Sequence, residues 1–135
     1  MTGGTYTLLI DRPTSVSIDV GALGSHDFDA GFYAYTGSAF GAGGFARVER
    51  HRELARGERT TSHWHVDYLL QTESSRIVDV VRSPDAAIEC AVARRLPDAG
   101  IPGFGSSDCQ CPSHLAYGTE RDGLLAQVRR AHERI

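Results

Sequence analysis

Two short stretches gather side chains suited to holding a metal ion or a phosphate. In His63-Trp64-His65-Val66-Asp67-Tyr68 the residue types alternate, so that on a strand His63, His65 and Asp67 share one face and Trp64, Val66 and Tyr68 the other. Two imidazoles and a carboxylate at i, i+2 and i+4 can converge on a cation or on an anion. Farther along, Asp108-Cys109-Gln110-Cys111-Pro112-Ser113-His114 adds two thiols and another imidazole. His63, His65, Cys109, Cys111 and His114 could together bind Zn²⁺, although Cys-x-Cys is tighter than the usual zinc spacing. Two other readings stand beside it. The polar cluster contacts substrate, with His63, His65, Asp108 and His114 as candidates, or it hydrogen-bonds a loop against the sheet.

All 14 basic residues are arginine, so every cation is a planar, permanently charged fork. The net charge of −3 is unevenly spread. Residues 1–46 carry −3 and residues 66–135 carry −2, whereas residues 47–65 carry +2, with five arginines, three glutamates and three histidines. A polyanion responds to the local field more than to the net charge, so that basic stretch is where one would land.

These side chains need elements to position them. Gly4–Ile10 is rich in β-branched, aromatic and aliphatic residues and reads as a strand. Arg12-Pro13-Thr14 turns the chain, and Ser15–Val20 alternates with Val16, Ile18 and Val20 on one face, as a hairpin partner of the first strand. Gly21–Gly31 is a connection with room for a short extra strand. Phe32–Gly37 is the next strand, with Tyr33 and Tyr35 on the same face, and a glycine-rich loop runs over Gly37–Gly44. A helix follows from Phe45 to Arg56 through Phe45, Val48 and Leu54, stopped by Gly57. His63–Leu70 is expected as a strand paired with Arg76–Val81. Ser83-Pro84-Asp85 has the residue types of a helix start, for a helix reaching Leu96. His114–Tyr117 forms a short strand, and Thr119–Arg134 closes the chain as an amphipathic helix through Leu124, Leu125 and Val128. The order predicts a single α+β domain over residues 1–135, a small mainly antiparallel sheet flanked by helices.

Gly4-Thr5-Tyr6 on the first strand and Tyr35-Thr36-Gly37 on the later one, followed by Arg47 and His51 on a helix and Glu89 on a further helix, resemble the GIY-YIG nuclease superfamily. The segments GFYAYTGSA, HWHVDYLL, AIECAVARRL and PGFGSSDCQCPSHL look like a largely archaeal branch of it, whose members are sometimes fused to endonuclease III-type glycosylases. The resemblance spans the whole chain. It implies a metal-dependent endonuclease hydrolysing phosphodiesters in DNA or structured nucleic acid, in a repair setting, with a DNA-repair glycosylase as partner by analogy with the fused relatives. Glu89 would hold Mg²⁺ or Mn²⁺ and Arg47 would steady the phosphoryl charge. Tyr6 would orient or deprotonate the water, Tyr35 would support it, and His51 would join the same cleft. Gly37, Ser38 and Arg50 are then further candidate substrate contacts. Arg47 and His51, four apart on a helix, can point into one hollow.

The chain contains no asparagine, whereas that superfamily often has one late in the domain, so Ser107, Asp108 or His114 would have to take its place. A non-catalytic nucleic-acid-binding or interaction module with the same fold, zinc-stabilised or not, is therefore the alternative. No apolar run approaches the ~20 residues of a membrane span, and no export signal is evident, which together predict a cytoplasmic protein. Cys90, Cys109 and Cys111 read as reduced thiols in that compartment.

Overall fold

A computed structural model describes residues 3–40, 43–59, 65–105 and 113–133. Four strands form one sheet: β1 (Gly4–Arg12), β4 (Gly31–Ser38), β5 (Arg76–Pro84) and β6 (Leu115–Gly118), in the order β5-β1-β4-β6. Every neighbouring pair is antiparallel. The architecture is α+β, as the order of elements predicts.

Because strand side chains alternate, β1 faces two cores. Tyr6, Leu8 and Ile10 point to one side, together with Tyr33 and Tyr35 of β4. That side is covered by α1 (Ala46–Ala55), α2 (His65–Leu70) and Phe104. Leu9, with Ala34 and Ala116, points to the other side and meets Val92 of α3 (Glu89–Arg94) and Leu124, Leu125 and Val128 of α4 (Arg121–Glu133).

Three expectations are corrected. β2 (Val16–Asp19) does not pair back on β1; it pairs with the short β3 (Ser25–Phe28) in a separate two-stranded sheet. The place beside β1 goes instead to the longer strands, β4 and β5. The segment is a strand as expected, and its apolar face still turns inward, with Ile18 and Val20 buried.

Residues 65–70 form a helix rather than a strand, and Arg76–Pro84 pairs with β1 instead. Val66, Leu69 and Leu70 are all fully buried, which is i, i+3, i+4 spacing. Burying each such side chain is worth about 1.5–3 kcal/mol, more than the weak strand preference of the alternating residues beside them.

Ser83 and Pro84 end β5 instead of starting a helix, and α3 begins only at Glu89. Proline is tolerated there because β5 is an edge strand whose outer donors need no partner. Between strand and helix, Asp85 takes a left-handed turn, φ 60°, and its N–H donates to the Gly3 carbonyl at 2.7 Å. Among the described residues, no helix is long and apolar enough to cross a membrane.

Candidate active site

The site is built where β1 begins and β4 ends. Tyr6 on β1 and Tyr35 on β4 point to the same side, their ring centroids 6.3 Å apart. Gly37 lies opposite Tyr6 in the ladder. A Cβ on Gly37 would come within 2.7 Å of the Tyr6 hydroxyl and 3.0 Å of the Tyr35 ring. Glycine there leaves room for both aromatic side chains, which is a more direct role than contacting substrate.

α1 delivers the next groups. Val48, His51 and Leu54 form its buried stripe, so an imidazole occupies a core position. His51 is fully buried, and its Nε2 lies 2.9 Å from the Tyr6 hydroxyl. Its Nδ1 lies 3.1 Å from Oδ1 of Asp67, which is also fully buried, on α2. With Asp67 ionised, Nδ1 carries the proton and donates to the carboxylate. Nε2 is then the acceptor of the hydrogen bond that the Tyr6 hydroxyl donates. Arg50, beside His51 in sequence, donates from a terminal nitrogen to Asp67 Oδ2 at 3.2 Å. A carboxylate buried this deeply needs such partners, and His51 and Arg50 are two that Asp67 finds among the described residues.

Arg47 and Glu89 border this chain. One turn before His51, Arg47 donates to the Ser38 carbonyl at 2.5 Å, which ties α1 to the end of β4. The segment before α3 is fastened to β1 by Thr5, whose hydroxyl donates to the Ala86 carbonyl at 2.7 Å and accepts from the Ile88 N–H at 3.0 Å. That fixes Glu89, the first residue of α3, with its side chain 34% exposed. Burial raises the pKa of Tyr6 well above 10, as do Tyr35, Asp67 and Glu89, while Arg47 lowers it. Burial likewise raises Tyr35, helped by Glu89 and Asp67 and opposed by Arg47. Both hydroxyls therefore sense the Arg47 and Glu89 charges, and Tyr6, Tyr35 and His51 stand in direct ring contact.

The second constellation is only partly described. His63, Asp108, Cys109 and Cys111 lie outside the described residues. His65, on a helix rather than a strand, does not share a strand face with Asp67. Its Nδ1 accepts from the Gly105 N–H at 2.8 Å, and the ring also bonds the Gly103 backbone. It thus fastens a loop, and burial lowers its pKa. His114 is nearly buried; its Nδ1 lies 3.9 Å from Glu89 Oε2 and its Nε2 lies 3.6 Å from Cys90 Sγ. Burial lowers its pKa too, with a bond to the Thr36 backbone opposing. Cys90 is disulfide-bonded, which corrects the reading of all three cysteines as reduced thiols. Among the described residues, no group of three or more His, Cys, Asp and Glu side chains is placed to hold a metal ion.

Asp67 is the residue whose role the sequence reading missed. The signal was present: a carboxylate inside the apolar run Val66-Asp67-Tyr68-Leu69-Leu70 needs a buried partner.

Fold and site define an α+β domain with a buried tyrosine–histidine–aspartate chain whose tyrosine feels the charges of Arg47 and Glu89. The chain belongs to the family described as domain of unknown function DUF123, whose model matches residues 5–135. No match is found among curated proteins or among solved structures.

Proposed function

We propose that this domain is a metal-assisted phosphodiesterase acting on nucleic acid, with DNA favoured, in line with the GIY-YIG resemblance. The observation that carries the reading is the hydrogen-bonded series Tyr6–His51–Asp67, whose Tyr6 end feels the Arg47 and Glu89 charges.

Hydrolysis forms a bond from a water oxygen to phosphorus and breaks the bond to the leaving alkoxide, which takes a proton from solvent. The water must lose a proton as it attacks. A free tyrosinate is not available near neutral pH, because burial holds Tyr6 protonated. Tyr6 can still act if it accepts the water proton while passing its own to His51 Nε2. The resulting imidazolium is then stabilised by Asp67, the logic of a base oriented by a buried carboxylate. Arg47 supplies a fork for the phosphoryl oxygens, and Tyr35 walls the site.

Glu89 suits Mg²⁺ or Mn²⁺, since such ions take one or two carboxylates and fill their remaining positions with water and phosphate oxygens. Its partial exposure, beside a His114 kept neutral by burial, fits that donor set. When bound, the ion would stabilise charge on the phosphoryl oxygens and lower the pKa of a coordinated water.

The test is to incubate the protein with labelled duplex, branched and single-stranded DNA and with RNA, in Mg²⁺ or Mn²⁺. Metal-dependent cleavage lost in Glu89→Ala is the expected result. Cleavage indifferent to that change sinks the assignment. A repair glycosylase as partner follows from the resemblance alone, and co-purification tests it.

A second reading is favoured by one observation: Tyr6, His51 and Asp67 are each at most 1% exposed. On that reading the series is a clamp that fastens α1 and α2 to the sheet, and the domain binds nucleic acid without cutting it. Salt-dependent binding with no cleavage in any metal would select it.

A further inference from the structure

We propose that the trough between α1 and the outer side of β5 holds the sugar-phosphate backbone of a nucleic acid strand as it leaves the candidate site. The inference rests on the nucleic-acid reading above, and adds a binding surface separate from the catalytic groups.

β5 is an edge strand, and Arg82 on it is the ladder partner of Tyr6. Paired residues share a face, so Arg82 emerges on the same side as the catalytic tyrosine. Its guanidinium lies 5.3 Å from the ring centre of Phe45, at the start of α1. That cation–π contact holds an exposed arginine in one place.

From there a cleft of about 280 Å³ lies between α1 and β5, bounded by Arg52, Arg82, Ile77 and Val80 among others. A second cleft, of about 220 Å³, shares Arg52 and Ile77 and adds Arg56 and Arg76. From Arg82 to Arg76 the strand runs about 20 Å, enough for several nucleotides.

The arginines in this trough are not equivalent. Arg56 is engaged by Glu49 and Glu58, at 3.2 and 2.6 Å, and Arg76 by Asp11 at 3.3 Å. Neither Arg52 nor Arg82 has a carboxylate partner among the described residues. Arg52 Nε is buried and has no hydrogen-bond acceptor among them, a state that costs free energy unless an outside acceptor completes it. Asp79 is the acidic group bordering the first cleft, and Arg129 partly offsets it from 3.8 Å. Planar cationic forks above an aliphatic floor of Ile77 and Val80 match phosphate oxygens and sugars. Contacts of this kind position a strand without reading its sequence.

The experiment measures binding of fluorescent 20-nucleotide duplex and single-stranded DNA to the full chain carrying Glu89→Gln, in EDTA, between 50 and 200 mM salt. With Arg52→Gln/Arg82→Gln added, Kd should rise about tenfold at the lowest salt, and the slope of log K against log salt should fall by about 1.5–2. Arg52→Lys/Arg82→Lys should stay within about threefold of the parent, because a phosphate contact tolerates a point charge. Should the double glutamine variant fail to fold, the exposed Arg82→Gln alone carries the test, with a slope change near 1. Unchanged affinity and slope overturn the proposal, and so does a parent that binds no DNA at 50 mM salt.

Hydrolysis of bis(p-nitrophenyl) phosphate, too short to reach the trough, judges the catalytic reading separately. Turnover of that diester without strand binding leaves the catalytic reading standing and removes the trough. Arginine-dependent binding without turnover does the reverse.

Discussion

Tyr6 and Thr7 are neighbours on β1, and each hydrogen-bonds a buried histidine on opposite sides of the sheet. Tyr6 meets His51 of α1, which continues to Asp67 and, through it, to Arg50. Thr7 meets His132 of α4 at 2.8 Å, and the other ring nitrogen of His132 lies 2.7 Å from the Ser83 hydroxyl. Thr7 also bonds Thr36 across the ladder at 2.9 Å. Both imidazoles tie a helix to the same strand, but their surroundings differ. Among the described residues, the His132 network joins the imidazole only to hydroxyls, which can donate or accept. The His51 network ends on a carboxylate and borders the Arg47 and Glu89 charges. A buried histidine is thus a structural fastener on one face. On the other, the same kind of fastener leads to a buried carboxylate, the arrangement that the proposed proton path uses.

The largest effect expected from breaking this comparison is at Asp67. Asp67→Ala leaves His51 and Arg50 without their shared acceptor inside the protein, and should cost about 3–5 kcal/mol. Urea denaturation measures it; a loss below about 1 kcal/mol would mean that the pair is not held as described. Gly37→Ala comes next. Its methyl group would collide with the Tyr6 hydroxyl and the Tyr35 ring, at a cost of about 1–3 kcal/mol. Mutants that keep their full melting temperature would show that the two tyrosines can move apart freely.

His132 sharpens the comparison through pH. Burial lowers its pKa below that of the unfolded chain, about 6.5. The unfolded state therefore binds the proton more readily. Stability should be complete above that value and should decline as pH falls from about 6.5 towards the lowered folded-state pKa. His132→Gln should flatten this decline in denaturation series between pH 7.5 and 5. His65 and His114 shift in the same direction and will retain part of it. An unaltered pH profile would remove His132 as a contributor. The smallest effect belongs to the surface: Arg59→Ala, breaking a half-exposed pair with Glu53 at 2.9 Å, should change stability by less than about 1 kcal/mol.

Much of this was legible in the residues. β1, β4, α1 and α4 carry their own periodicity, strand alternation in Tyr6-Leu8-Ile10 and helical spacing in Leu124-Leu125-Val128, so they read correctly along the chain. Where two periodicities overlap, local reading failed. His65–Leu70 alternates in polarity, yet the three-dimensional core selected the helical spacing of its apolar residues. Ser83-Pro84 has helix-start chemistry, but also fits the end of an edge strand, and only the pairing of Tyr6 with Arg82 decides between them. For the candidate site, the GIY-YIG resemblance singled out Tyr6, Tyr35, Arg47, His51 and Glu89, of which Tyr6, Tyr35 and His51 stand in ring contact. The partnership of Asp67 with His51 stayed hidden, because assigning Asp67 to a strand turned it towards His63 and His65.

The proposed chemistry needs the partly exposed Glu89 carboxylate to act together with the Tyr6–His51–Asp67 series, and Glu89→Gln tests that most directly. The protein should cleave labelled DNA in Mg²⁺ or Mn²⁺. The variant should fold with an unchanged melting temperature, since Glu89 is partly exposed, yet cleave about 100-fold more slowly, a barrier increase of about 2.7 kcal/mol. Equal cleavage by variant and parent, or no cleavage by the parent in either metal, would contradict it.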